Sequence, residues 1–108
     1  MTDKELLELA AKAAGIEGGF VGDVFALDWA DEQDYWNPLT NDGDALRLAV
    51  KLSIRIYRNN ESGYTTCDYV CLGKYSDDFI EFDNASEDQY AATRLAIVRA
   101  AAEIGRTL

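Results

Sequence analysis

The chain has 108 residues, a net charge of −10 and two cysteines, and 48% of its residues are hydrophobic. That length predicts one domain over residues 1–108 with a single core, and this much hydrophobic sequence argues against disorder. An acidic surface repels phosphate, which excludes direct nucleic-acid binding as the expected function, and no apolar run is long enough to span a bilayer, so we expect a cytoplasmic protein without membrane contact.

The negative charge is concentrated in two segments. Fourteen of the 20 acidic residues lie within residues 15–45 and 75–90, and neither segment contains a lysine or an arginine. The plainest interpretation is a surface that keeps the protein soluble. The alternative is an acidic patch that binds a partner with a basic surface, imitating the phosphates of a nucleic acid.

The first predicted element is a helix over residues 3–14. Thr2 or Asp3 can cap it, apolar residues recur at steps of three and four, and Gly15 ends it. Residues 20–27 carry apolar side chains between glycines, and a short strand is one interpretation of this segment.

An aromatic and acidic tract follows. Its candidate partner-binding residues are Asp28, Trp29, Asp31, Glu32, Asp34, Tyr35 and Trp36. Such aromatics either fix a long loop to the core or form an exposed recognition site. We expect Trp36 to be buried against Leu46 or Val50, and Trp29 to be the better candidate for exposure.

The central element is a helix over residues 43–52, because Pro38 stops the preceding chain and Asn41 or Asp42 can cap the helix. The tract from Thr40 to Asp44 is rich in oxygen donors, but it lacks the ligand spacing of a calcium loop, so it is interpreted as a helix cap. Three strands are predicted next, over residues 53–58, 64–73 and 78–82. Their short connections favour an antiparallel meander.

Two cysteines fall on the second of these strands. Cys67 and Cys71 share a face but lie about 13 Å apart along it, too far for a disulfide. We expect both thiols to be buried as small hydrophobic groups.

The last predicted helix covers residues 86–105, with a capping box from Ser86 to Gln89. The fold class is therefore α+β: an antiparallel meander sheet of three to four strands packed with three helices, either as an α-β-α sandwich or in two layers. The predicted core consists of Leu6, Leu9, Leu46, Val50, Ile54, Ile56, Val70, Leu95, Val98 and Ala102.

No pattern in the chain indicates catalysis. Histidine is absent, which excludes histidine-based acid-base chemistry, and no glycine-rich phosphate loop joins a strand to a helix. We therefore predict no enzymatic activity, no cofactor and no metal.

The order of these motifs resembles the phage ABA-sandwich domain family and, more distantly, the NinX-like phage proteins. The resemblance rests on the Trp36-Asn37-Pro38 turn, the helix from Asp44 to Leu52 and the closing helix from Ala91 to Gly105. It implies a phage or prophage origin and helices on both faces of the sheet, and it carries over no site residues. The predicted function is an accessory protein that acts by contact with a host or phage protein or by self-association. The alternative is a small-ligand pocket that is lined by Trp29, Tyr35 and Trp36 beside the central helix.

Overall fold

The computed structural model describes residues 1–28, 35–86 and 88–108. These residues form three helices: α1 (Asp3–Ala14), α2 (Asp42–Leu52) and α3 (Gln89–Arg106). The strands are β1 (Gly18–Val21), β2 (Val24–Leu27), β3 (Tyr35–Trp36), β4 (Arg55–Asn59), β5 (Tyr64–Asp68), β6 (Val70–Cys71), β7 (Lys74–Tyr75) and β8 (Phe79–Phe82). A short 3-10 helix, Asp83–Ala85, precedes α3.

The strands pair antiparallel in three sheets, with the orders β1-β2-β3, β4-β5-β8 and β6-β7. The α+β class is thus correct, and the predicted meander is the β4-β5-β8 sheet. The strand left open over residues 20–27 does not extend that sheet; it is a hairpin of β1 and β2 in a sheet of its own.

The predicted strand over residues 64–73 is not one continuous strand: β5 ends at Asp68, and Val70–Cys71 is a separate short strand, β6, that pairs with β7. Leu72 and Gly73 both have positive φ, 53° and 78°, and they form the two-residue turn between β6 and β7. Two successive positive φ angles belong to a tight hairpin turn and are incompatible with a continuing strand. Cys71 is consequently exposed, which corrects the prediction of two buried thiols, whereas Cys67 is fully buried.

Helix α3 is the centre of the packing. It contacts β5 and β8 on one side and α1 and α2 on another. The approach of α1 is close: a Cβ on Gly105 would lie 1.9 Å from the carbonyl oxygen of Leu9, and Ala10 and Ala101 are fully buried. Small residues let the two helix backbones come together and exclude water without long side chains.

The helix caps agree with the sequence in two cases of three. The side chains of Thr2 and Asn41 accept backbone N–H groups of α1 and α2. Helix α3, however, begins at Gln89 with Asp88 as its cap, so the predicted start at Ser86 is wrong. Ser86 instead closes the 3-10 turn by donating its N–H to Asp83, and Glu87 lies outside the described residues.

The predicted core is partly correct. Ile54, Val98 and Ala102 are buried, and Leu6, Leu9 and Leu95 are half-buried. The prediction is wrong for four residues that are exposed: Leu46, Val50, Ile56 and Val70. On α2 the buried residues are Ala45, Leu48 and Ala49, which lie on a helix face next to the one that carries Leu46 and Val50.

Candidate functional site

The aromatic and acidic tract is divided between core and surface. Trp36 is only 5% exposed and packs edge-on against Phe25, with ring centroids 5.4 Å apart. Its burial was expected, but its predicted partners are wrong, because Leu46 and Val50 face solvent. Asp28 and Tyr35 are exposed. The other candidates lie outside the described residues: Trp29, Asp31, Glu32 and Asp34.

A cleft of about 670 Å³ opens beside α2, between that helix and the β1-β2-β3 sheet. Tyr35 and Trp36 form part of its wall, and Arg47 and Lys51 of α2 also line it. Asp44 holds the wall in place, since its carboxylate accepts the Asn37 N–H at 3.0 Å and a bond from Arg47 at 2.7 Å. Two of the three residues of the alternative ligand pocket, Tyr35 and Trp36, line this cleft, and the third, Trp29, lies outside the described residues.

The β4-β5-β8 sheet presents a second surface. Cross-strand partners in an antiparallel sheet share a face, so the register assigns Thr65 and Cys67, both buried, to the face that α3 covers. The opposite face carries four large apolar or aromatic side chains, which we call the aromatic face: Tyr57, Tyr64, Ile80 and Phe82.

The aromatic face is open to solvent. Tyr57 is 59% exposed and Phe82 51%, although both rings contact that of Tyr64, with centroids 6.5 and 5.8 Å apart. No helix among the described elements packs on this side. At this sheet the fold therefore has two layers, and the helices on both faces that the family resemblance implied are not found in the described residues.

The β6-β7 hairpin borders the aromatic face. Tyr75 stacks under the guanidinium of Arg55 at 4.4 Å, and Arg55 forms two hydrogen bonds with Asp68, at 2.7 and 2.5 Å. These bonds hold the pKa of Asp68 below its ordinary value of 3.8. The charges of Arg55 and Asp68 cancel, so this pair adds no net charge to the aromatic surface between the sheet and the hairpin.

The tip of the hairpin is Leu72, which is 98% exposed at a φ of 53°. A positive φ is sterically unfavourable for leucine and much less so for asparagine or glycine. It also gains nothing from burial in the folded chain. A strained residue with an exposed apolar side chain is a feature that folding does not explain, and such outliers concentrate at functional positions.

The covered face of the same sheet contains polar groups that satisfy one another. Arg58 forms an ion pair with Asp83 and donates to Thr65 at 3.2 Å, and Thr65 in turn bonds Thr93 of α3 at 2.7 Å. The hydrogen bonds that Arg58 donates to the Asp83 carboxylate lower the pKa of Asp83. Burial raises the pKa of Cys67 to about 12, so that thiol stays protonated and unreactive.

Neither a metal-binding cluster nor a membrane-spanning helix is found in the described part of the chain. No three histidine, cysteine, aspartate or glutamate side chains there lie close enough to hold a metal ion. Nor does any helix of that part have both the length and the apolar character needed to cross a membrane.

Sequence reasoning missed the aromatic face. The signal was available in the alternation of Tyr57, Tyr64 and Phe82 with residues of the covered face, but strands with apolar residues on both sides are equally typical of a sheet covered on both faces.

No protein-family model, curated protein or solved structure matches the chain.

Proposed function

We propose that the chain is a small protein-binding module that contacts its partner through the aromatic face and the adjacent β6-β7 hairpin. The observation that carries the proposal is the exposure of Tyr57, Ile80 and Phe82 on one uncovered sheet face, where the ring of Tyr64 lies between Tyr57 and Phe82 and contacts both. Monomeric proteins rarely expose contiguous apolar surface without a binding role. Tyrosine and phenylalanine are also enriched at the centres of protein interfaces.

The charge around this surface indicates what kind of partner it fits. Asp78 is exposed and lies beside Tyr57 and Thr66, and it forms no ion pair with any described residue. A matching partner has an apolar patch bordered by lysine or arginine, because acidic groups at the rim favour such a partner and speed its association. The proposal thus locates the acidic contact surface in the second acidic segment.

The wider predictions from the sequence are compatible with this function. A phage or prophage accessory protein, acting in the cytoplasm on a host or phage protein and without enzymatic activity, needs a contact surface and no catalytic group. Asp28 and Tyr35 remain candidates for a second contact, as do the neighbouring candidates of their tract.

The proposal is tested by capture of partners from bacterial lysate. The variant Tyr57→Ser/Phe82→Ser removes two aromatic rings from the face, and Val21→Ser removes a side chain that is 68% exposed on β1, in the other sheet. Wild type and Val21→Ser should capture the same protein, and the double variant should lose at least about tenfold of that capture. Raising the salt concentration should weaken capture, since the acidic rim is screened. Equal capture by a double variant with native circular dichroism would overturn the proposal.

The cleft beside α2 supports a second candidate function, binding of a small anionic ligand. Its volume of about 670 Å³ is in the range of ligand sites. Arg47 and Lys51 outweigh the one acidic residue of the lining, Asp44, which is paired with Arg47, so the cleft has a net positive charge beside the aromatic wall. A thermal-shift screen of aromatic carboxylates and phosphates tests it. A hit whose stabilisation disappears in Arg47→Glu supports ligand binding, and a screen without any stabilising compound argues against it.

A further inference from the structure

The β4 edge of the β4-β5-β8 sheet has no neighbour. Strand β4 pairs with β5 alone, and within the described chain no other backbone hydrogen bond reaches residues 55–58. An edge strand of this kind offers a row of free N–H and C=O groups to another strand. Native proteins ordinarily protect such an edge with charged side chains, proline or a bulge.

The two arginines of β4 do not protect its edge. Arg55 is bonded to Asp68 on β5, and Arg58 to Asp83, which follows β8. Both partners lie toward the interior of the sheet, so both guanidinium groups are drawn back over it and away from the free edge. The edge is left bordered by the side chains of Ile56 and Tyr57, which are 42% and 59% exposed.

A groove runs along the same edge. It has a volume of about 420 Å³ and separates β4 from α2, with the first half of α3 also lining it. Its apolar lining includes Ala45 and Leu46 of α2 and Tyr90 and Ile97 of α3. Leu46 and Tyr90 are each 60% exposed. Asp42, Arg58 and Arg94 also line the groove, and each of them is in an ion pair within the chain. A strand added to β4 would therefore lie over a mostly apolar groove whose charged residues are already paired.

We propose that the occupant of this edge is the β4 strand of a second copy of the chain, paired antiparallel about a two-fold axis near Tyr57. Ile56 lies on the covered side of β4, opposite buried Cys67, so the incoming strand presents its own Ile56 to the groove. Each copy then supplies the side chain that the other's groove lacks. Such a reciprocal contact is the geometry of an isologous dimer, and it joins the two sheets into one of six strands.

Charge favours a second copy at this place. Each chain carries −10 overall, and two copies repel one another over most of their surface. Residues 45–60, however, contain four basic residues and no acid. Three of the four are paired within the chain, Arg47 with Asp44 and the two arginines of β4 as described. Of the three aspartates that lie beside the edge and its groove, Asp42 and Asp68 are paired with arginines, and Asp78 forms no ion pair with a described residue. At the β4 edge the repulsion between two such acidic chains is therefore reduced.

The available area is in the range of a weak to moderate dimer. Five exposed side chains border the edge and groove or continue their apolar stripe along α2: Leu46, Val50, Ile56, Tyr57 and Tyr90. At roughly 100 Å² each, they supply about 500 Å² per copy before the strand backbone and the polar rim are added. A standard stable interface needs about 800 Å² per partner.

Sedimentation equilibrium across micromolar to millimolar concentrations tests the proposal. Wild type should approach twice its mass of 12.0 kDa, and Leu46→Glu, which places a carboxylate in the groove, should raise the dimer dissociation constant at least about tenfold. The control Val21→Glu adds the same charge to a different sheet and should dimerise as wild type does. A monomer at all concentrations, or a dimer indifferent to Leu46→Glu, overturns the proposal.

A cross-link locates the axis. In a Cys71→Ser background, Tyr57→Cys should form an intermolecular disulfide under mild oxidation, because directly opposed residues of paired strands have Cβ atoms about 4.5–5.5 Å apart. Val21→Cys in the same background should not. This inference does not rest on the proposed function: a dimer that is lost in Tyr57→Ser/Phe82→Ser but retained in Leu46→Glu would place the contact on the aromatic face and overturn β4 pairing.

Discussion

On the β4-β5-β8 sheet the covered face carries more polar groups, and the uncovered face more exposed apolar side chains, than burial alone would favour. The covered face contains the Arg58–Asp83 pair and the hydroxyl of Thr65, whereas the uncovered face presents Tyr57 and Phe82 to solvent. Burial of apolar surface would favour the reverse arrangement. The covered face is stable because its polar groups are satisfied by one another, and the uncovered face is better explained by binding than by folding.

Truncation of large side chains on the two sides of the sheet should produce the largest difference. Ile97 belongs to α3, on the covered side of the sheet, and is 3% exposed. Ile97→Ala should lower the free energy of unfolding by about 2–5 kcal/mol. Phe82→Ala on the aromatic face should lower it by less than about 1 kcal/mol, since half of that ring is already in water. Urea denaturation measures both. Equal losses would mean that the aromatic face is covered in solution.

Two adjacent threonines give a matched comparison with smaller effects. Thr65→Val removes a buried hydroxyl that bonds Thr93 and accepts from Arg58, so it should destabilise the fold by about 1–3 kcal/mol. Thr66→Val makes the same chemical change on the uncovered face and should alter stability by no more than about 0.5 kcal/mol. If Thr66→Val had the greater effect, the assignment of the two faces would be reversed.

A substitution at Leu72 should change stability and partner binding in opposite directions. Leu72→Asn should raise the free energy of unfolding by about 0.5–1 kcal/mol, because asparagine adopts the positive φ of the hairpin turn more readily. The same change should weaken capture of a partner, since it removes the exposed side chain at the tip. Stabilisation with unchanged capture would show that Leu72 is strained without contributing to the contact.

The pH dependence of stability is the smallest effect expected. Arginine partners lower the pKa of Asp68 and of Asp83 from the ordinary value of 3.8. Depressed folded-state values mean that both carboxylates stabilise the fold fully above that value and lose their contribution as the pH falls below about 4. Urea midpoints from pH 7 to pH 3 should fall only at the acid end, and less so for Asp83→Asn. A fall near neutral pH would point to other groups.

Several features of the chain were determined by its sequence alone. The helix from Asp3 to Ala14 follows from local chemistry, because a helix end needs side-chain acceptors for its free N–H groups. The same chemistry limits the caps to Thr2 or Asp3 for α1 and to Asn41 or Asp42 for α2, and the structure selects Thr2 and Asn41. The order of the three main strands follows from their short connections. The buried position of Trp36 follows from its place before the turn into α2, although its partner Phe25 belongs to β2, a strand that the sequence allows but does not require.

Other features were decided only by the tertiary structure. Helix α2 carries two apolar stripes with the same spacing, and packing against α3 selected the one with Ala45 and Leu48 and left Leu46 at the surface. Ser86 and Asp88 are both good caps, and the 3-10 turn that ends at Ala85 decided for Asp88. The exposure of the aromatic face was also decided by tertiary structure. Strand β5 has nonpolar residues on both sides, and the position of α3 determines which side stays open. Local pattern specifies which faces can be buried, and the neighbour that buries one of them comes from a distant part of the chain.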